Sequence, residues 1–148
     1  MIRVSRRRSL AFVVTCLAAP SIATVALADV GVATGTKLYE HTLLKAKPGL
    51  RDDLGKYIRA NWFPMDQKGV ENGIFTSYWL LEDTGENAAW DYVMVVGYPT
   101  ELGFGEPRAI EVFQAIRKAH AEVKIGGKGL RELGEIVGNH RLKLTQSQ

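Results

Sequence analysis

The side chain best suited to chemistry in this sequence is His120. Ile116 and Val123 flank it at helical spacing, which predicts an imidazole on or beside the apolar stripe of a helix. A histidine titrating near neutrality in such a place can move a proton or ligate a haem iron. The competing explanation is a histidine near a helix C-terminus, where positive charge is favoured. Glu40 is the second candidate: facing an interior, its carboxyl would be desolvated and act as acid or base, whereas at a solvated edge it does nothing special. His41 must then face the opposite way, because neighbouring strand residues point to opposite sides. Tyr92 offers a hydroxyl for a ligand or a developing oxyanion, although a strand tyrosine also serves as interior packing. Together these three define a metal-free scheme in which His120 moves a proton, Tyr92 steadies an enolate or phenolate, and Glu40 assists.

Other patterns are less informative. Tyr57, Trp62, Phe63, Tyr78 and Trp79 could clamp a flat hydrophobic ligand or fill a core. Gly126-Gly127-Lys128-Gly129 lacks the full phosphate-loop spacing and follows a helix instead of joining a strand to one. Glu82, Asp83 and Glu86 read as a solvated acidic turn, and His140 has no evident partner. No His-x-x-x-His or paired-carboxylate spacing points to a metal.

The elements that must position these residues follow from periodicity and turn signals. Lys37–Ala46 reads as a strand closed by Lys47-Pro48-Gly49. Leu50, Leu54, Tyr57, Ile58 and Asn61 give a helix over Leu50–Asn61, which Pro64 should kink or restart. Ile74–Leu81 and Trp90–Tyr98 form a hairpin. Pro107 opens a second helix whose face carries Ile110, Phe113, Ile116, His120 and Val123, stopped by Gly126-Gly127. Lys128–Leu133 connects to a last strand, Glu135–Leu144. The order βαββαβ predicts a ferredoxin-like α+β fold, a four-stranded antiparallel sheet with both helices on one face.

That order creates a mismatch. The third strand carries Val93 and Val95 on one face and Tyr92, Met94, Val96 and Tyr98 on the other; the second strand is likewise apolar on both. Two helices cover one face only. At about 25 cal/mol per Å², covering even ~600 Å² of the other is worth on the order of 15 kcal/mol before association costs. The simplest cover is the same face of a second copy, so a homodimer is expected.

The sequence resembles the superfamily of dimeric α+β barrels, which includes antibiotic-biosynthesis monooxygenases, stress-responsive Dabb proteins, EthD-like and NIPSNAP-like proteins, haem-degrading monooxygenases and certain polyketide cyclases. The resemblance rests on Tyr39–Gly49, a strand running into Lys45-Ala46-Lys47-Pro48-Gly49, on Trp90–Tyr98, and more weakly on Phe113–Val123. It implies two sheets closing into a barrel and a ligand between helices and sheet or within the barrel mouth. It turns Leu38, Glu40, Thr42 and Leu44 inward, with Tyr92, Met94, Val96 and Tyr98. It places His120 where cyclase-like members carry a functional histidine. The implied pocket is Thr42, Leu44, Tyr57, Trp62, Met94 and Val96, for a small apolar or aromatic molecule. The activities that fit are cofactor-independent oxygenation, cyclisation or isomerisation; the alternatives are a non-catalytic binding or stress-related protein, and a haem-binding protein. Asn61 and Trp62 are adjacent, unlike their counterparts in the haem-degrading branch, which argues against haem.

The chain has 148 residues, 46% hydrophobic and 24% charged, an ordinary globular composition. Residues 1–28 read as a signal peptide: Arg3, Arg6, Arg7 and Arg8, then an uncharged stretch from Ser9 ending in Ala26-Leu27-Ala28. The alternative is an uncleaved anchor, since Ser9–Ala28 is just long enough to span a bilayer; Pro20 and the small residues favour cleavage. Ser5-Arg6-Arg7-Arg8-Ser9-Leu10 also resembles a bacterial twin-arginine signal, with Ser9 where an aromatic is usual, so both the general and twin-arginine routes stay open. Either route predicts a periplasmic or secreted protein with no membrane association after cleavage. Residues 29–36 form a Gly-containing lead-in and 37–148 a single domain. All but four of the 19 basic residues, and all 16 acidic ones, follow the leader, so the basic pI gives no reason to expect nucleic acid. Cys16, the only cysteine, leaves with the leader, and a domain of this size can bury about two thirds of its unfolded surface without a disulfide.

Overall fold

The computed structural model describes residues 35–85 and 88–145. The leader, most of the lead-in, residues 86–87 and the tail from 146 lie outside the described residues. The elements run β1 (Leu38–Ala46), α1 (Arg51–Glu71), β2 (Ser77–Glu82), β3 (Tyr92–Tyr98), α2 (Pro107–Ala119), a single-turn α3 (Leu130–Leu133) and β4 (Gly134–Lys143), with a 3-10 turn at Gly103–Gly105 before α2. The sheet order is β2-β3-β1-β4, every neighbouring pair antiparallel. This is the ferredoxin-like α+β arrangement: the inner strands are β1 and β3, and each helix follows one of them.

Register decides which side chains meet the helices. Leu38, Glu40, Thr42 and Leu44 stand opposite Tyr98, Val96, Met94 and Tyr92. Being two apart, they share one face. Leu54, Tyr57 and Ile58 of α1 pack on Leu44, Tyr92 and Met94 at one end of that face, joined by Leu133 of α3. Ala109 and Ile116 of α2 pack with Leu38, Tyr98, Ile74 and Phe75 at the other end. Phe75 stacks edge-on to Tyr98 at 5.1 Å and tilts against Phe113 at 5.2 Å. The opposite face carries Tyr39, His41 and Leu43 of β1, Val93 and Val95 of β3, and Trp79 and Leu81 of β2. Leu81 and Leu142 are about half exposed there. A bulge between Leu43 and Leu44 leaves Val137 of β4 unpaired and exposed.

Two helix boundaries differ from those expected. Helix α1 does not stop at Asn61 but runs through Pro64 to Glu71. A proline there removes one backbone N–H, at a cost of about 3 kcal/mol in an ordinary helix interior. The offset is burial, because the extra turns seat Met65 and Val70 against the second core cluster. Gly69 sits so close that a Cβ there would lie 2.3 Å from Phe75 Cδ2. Conversely α2 ends early, at Ala119, and His120 is its C-cap with extended ψ of 127°. The apolar stripe therefore does not continue to Val123, which is 47% exposed. Gly126 and Gly127, both at positive φ, form the two-residue turn of a small hairpin bridged by Ile125 and Lys128. Strand β2 begins at Ser77 instead of Ile74, because Ile74 and Phe75 turn under α1 into the core.

The close seat of Gly69 gives a test. Gly69→Ala should lower the unfolding free energy by about 1–3 kcal/mol in urea denaturation, as overpacking against the buried Phe75 ring outweighs the better helix propensity. A gain of stability, as at an open helical glycine, would contradict the packing described.

Candidate functional site

Between the two core clusters the helix-covered face is not filled, and a cavity of about 500 Å³ opens there. Its floor is Thr42 of β1, Met94, Val96 and Tyr98 of β3, and Ile136 of β4. Helix α1 supplies Tyr57, Asn61, Trp62, Met65 and Asp66, one face over two and a half turns. Phe75, Phe104 and Phe113 close the far end, and Arg117, His120, Glu122 and Leu130 form the remaining wall. The lining is mainly aromatic and aliphatic, with a few polar groups, the usual make-up of a small-molecule pocket.

The polar groups are held in different ways. Asn61, 2% exposed, uses its whole hydrogen-bonding capacity. Its Nδ2 donates to the carbonyls of Tyr57 and Val123, both at 2.9 Å. Its Oδ1 accepts the Val123 N–H at 2.7 Å and lies 3.1 Å from His120 Nε2, which donates in the Nε2–H tautomer. The amide thus clamps the segment after α2 against α1 and fixes the imidazole. The Tyr57 hydroxyl donates to Glu122 Oε1 at 2.7 Å, fastening the same segment a second time. Burial first, then that bond, push the Tyr57 phenol up to about 12. Tyr98 is raised too, by burial and by the Glu40 carboxylate beside it, so both phenols stay protonated donors.

Asp66 is different. It is 4% exposed and lines the cavity, and no described residue gives it a hydrogen bond or an ion pair. Desolvation pushes its carboxyl from an ordinary 3.8 up to about 7. Sequence reasoning missed it because the helix was expected to end before Pro64. Extending the Ile58, Trp62, Asp66 spacing through the proline would have found it.

The expected site residues divide accordingly. Thr42, Tyr57, Trp62, Met94, Val96 and His120 converge on the cavity. Leu44 does not: fully buried, it belongs to the packed cluster at the sheet's end. Tyr92 also lies at that end, 3% exposed, its ring 5.9 Å from the Arg51 guanidinium and its hydroxyl against Gly55. Glu40 faces the helix side, with Oε1 3.3 Å from Arg141 Nε and accepting the Phe104 N–H at 3.2 Å. It anchors the loop before α2 and is not part of the cavity wall. His41 points to the open face, across from His140, and burial followed by that neighbour's charge lowers its pKa.

Among the described residues no group of three or more His, Cys, Asp or Glu could hold a metal ion, and no helix is long and apolar enough to cross a membrane. Of the two ring nitrogens of His120, Nε2 is engaged by Asn61, so a haem iron would have to be ligated through Nδ1. Neither a protein family nor a curated protein matches the chain. It is similar to the crystal structure of PA3566 from Pseudomonas aeruginosa, with 16% sequence identity and a TM-score of 0.47, covering 78% of this chain and 100% of that one. At that level the likeness assigns no residue a role.

Two tests follow. In Asn61→Ala the Val123 backbone groups lose their partners, which should cost about 2–4 kcal/mol and speed amide exchange across residues 120–129; unchanged protection there would contradict the clamp. Folded Asp66 keeps its proton to about pH 7 whereas the unfolded chain releases it near 3.8, so between those values the folded state binds more protons and loses stability as pH rises. Asp66→Asn should therefore become more stable than the parent on going from pH 4 to pH 8, by on the order of 4 kcal/mol. Parallel stability curves in urea would refute the buried carboxyl.

Proposed function

We propose that this chain is an exported homodimeric α+β protein whose helix–sheet cavity binds a small, largely apolar or aromatic molecule and carries out cofactor-independent proton transfer on it, as in an oxygenase, cyclase or isomerase. The observation that carries the reading is the cavity itself: about 500 Å³, walled by Trp62, Phe75, Phe104 and Phe113, with polar groups confined to a few positions. A ring of naphthalene size is small enough for that volume and suits an aromatic lining. His120 stands at the wall with Nε2 fixed by Asn61, which leaves Nδ1 to exchange a proton with a ligand.

The dimer is supported by the face the helices leave uncovered, where Trp79, Leu81, Val93 and Leu142 are brought together and two of them are about half exposed. Export is supported by the basic and then uncharged leader ending in Ala26-Leu27-Ala28. A non-catalytic binding protein is the second reading. It is favoured by the complete engagement of Asn61 and by the Tyr57–Glu122 bond, which serve architecture.

Calorimetric titration with 2-naphthol should show one site per chain, and Val96→Trp, which fills the cavity from β3, should weaken it by about tenfold or more. Absence of binding to the parent protein would contradict the reading. Light scattering at micromolar concentration should give the dimer mass, and Leu81→Arg with Leu142→Arg should give the monomer; a monomeric parent would overturn the dimer.

A further inference from the structure

We infer that Asp66 is the general base of the cavity and that its substrate is an apolar ring ketone with an acidic hydrogen next to the carbonyl, an inference that rests on the cavity being a small-molecule site. A carboxyl removed from water normally has a partner, because an unpaired buried polar group is costly. Asp66 is 4% exposed, has no hydrogen bond or ion pair from any described residue, and lines the cavity. Its carboxyl oxygens open onto the cavity instead of into packed protein, so what they meet is the cavity's contents, water or a ligand. The residue also lies within α1, one turn beyond Trp62 and more than a turn before the helix ends at Glu71, so its position is set by a rigid element.

His120 is less suited to the same task. Its Nε2 is occupied by Asn61, whereas both carboxyl oxygens of Asp66 lack partners. The other charges around the cavity narrow the substrate. Arg117 lines it with no side-chain partner among the described residues, and Glu122 is engaged by the Tyr57 hydroxyl. An ammonium ligand would meet Asp66 but also the Arg117 cation. A carbon acid matches both, since it gives up a proton at one end and gathers negative charge on oxygen at the other.

The step balances without an oxidant or a metal. An Asp66 oxygen takes the hydrogen from the carbon beside the carbonyl. The C–H electron pair becomes the C=C bond, and the carbonyl π pair moves onto oxygen, which Arg117 and the Thr42 hydroxyl can receive as an enolate. Return of the proton from Asp66 to the oxygen gives the enol; where the ring also carries a β,γ C=C bond, the enolate is a dienolate and return of the proton to its γ carbon gives the conjugated isomer. Burial favours the protonated carboxyl and raises it to about 7, which suits a base working near neutrality. The ionisable groups close enough to feel its charge are Tyr78 of β2 and Tyr98 of β3; Tyr57 of its own helix, Arg117 of α2, and His120 and Glu122 of the following segment line the same cavity, and burial alone accounts for the shift of Asp66.

The test uses 2-tetralone as carbon acid and 2-naphthol as a mimic of its enol. Exchange of the C1 hydrogens of 2-tetralone in deuterated buffer is followed by proton NMR. The full-length protein should accelerate exchange, with a rate that rises through about pH 7 to a plateau. Asp66→Asn should lose about a hundredfold or more of that acceleration, and Asp66→Glu should recover part of it. The far-ultraviolet circular dichroism of Asp66→Asn should match the parent's, so that the lost exchange reports chemistry and not unfolding. Exchange that survives in Asp66→Asn and disappears in His120→Ala would overturn the assignment. So would a parent protein that binds 2-naphthol but does not accelerate exchange, in which case the cavity reading stands. Failure of the parent to bind 2-naphthol would remove both together.

Discussion

The structure depends on one constraint: successive strand residues face opposite ways, and the chain supplies helices for one side only. With β1 and β3 paired so that Leu38 meets Tyr98 and Leu44 meets Tyr92, the even-numbered side chains of both inner strands lie under α1 and α2. A slip of one residue would put Val93 and Val95 beneath the helices and send Tyr92 and Tyr98 into the open. The cavity is a consequence of the same register. Packing is complete at the two ends of the covered face, while the middle, floored by Thr42, Met94 and Val96, is roofed by side chains that do not reach it.

What holds that roof is polar. Asn61 joins α1 to the segment after α2 through both backbone groups of Val123, and Tyr57 joins the same segment through Glu122. Those bonds explain why α2 stops at Ala119. The Val123 N–H and C=O go to a side chain on another helix, so the chain leaves helical geometry at His120 to reach it. The imidazole is thereby delivered to the cavity wall by a cap and a clamp, not by a helix stripe. Asn61 gains full satisfaction in the bargain, whereas Asp66, five residues on, gains none. That contrast separates the residue that builds the site from the one left available to a ligand.

Much of this was legible in the residues. Alternation along Trp90–Tyr98 and the turn at Lys47-Pro48-Gly49 sufficed for the strands, and element order sufficed for the fold. The inward set Leu38, Glu40, Thr42, Leu44 and Tyr92, Met94, Val96, Tyr98 does face the helices. What was not legible depended on long-range contacts. Pro64 argues locally for a break, and only the fit of Gly69 against Phe75 shows why α1 continues. Leu133 reads as part of a connection, yet it is fully buried in the core. Glu40 and Tyr92 have suitable chemistry and the expected face, but each lies at an end of the sheet where protein groups occupy it. Position along the strand, which periodicity does not encode, decided their roles.

The two faces of the sheet thus differ: the covered one encloses the cavity that we propose as the ligand site, and the other carries the half-exposed Leu81 and Leu142 on which the proposed dimer rests. The central claim is that small molecules enter the covered side. Intermolecular nuclear Overhauser effects between 2-naphthol and methyl-labelled protein test it most directly. The account predicts contacts to Met94, Val96 and Ile136, which line the cavity, and none to Val93, Leu81 or Leu142. Contacts confined to that second group would contradict it.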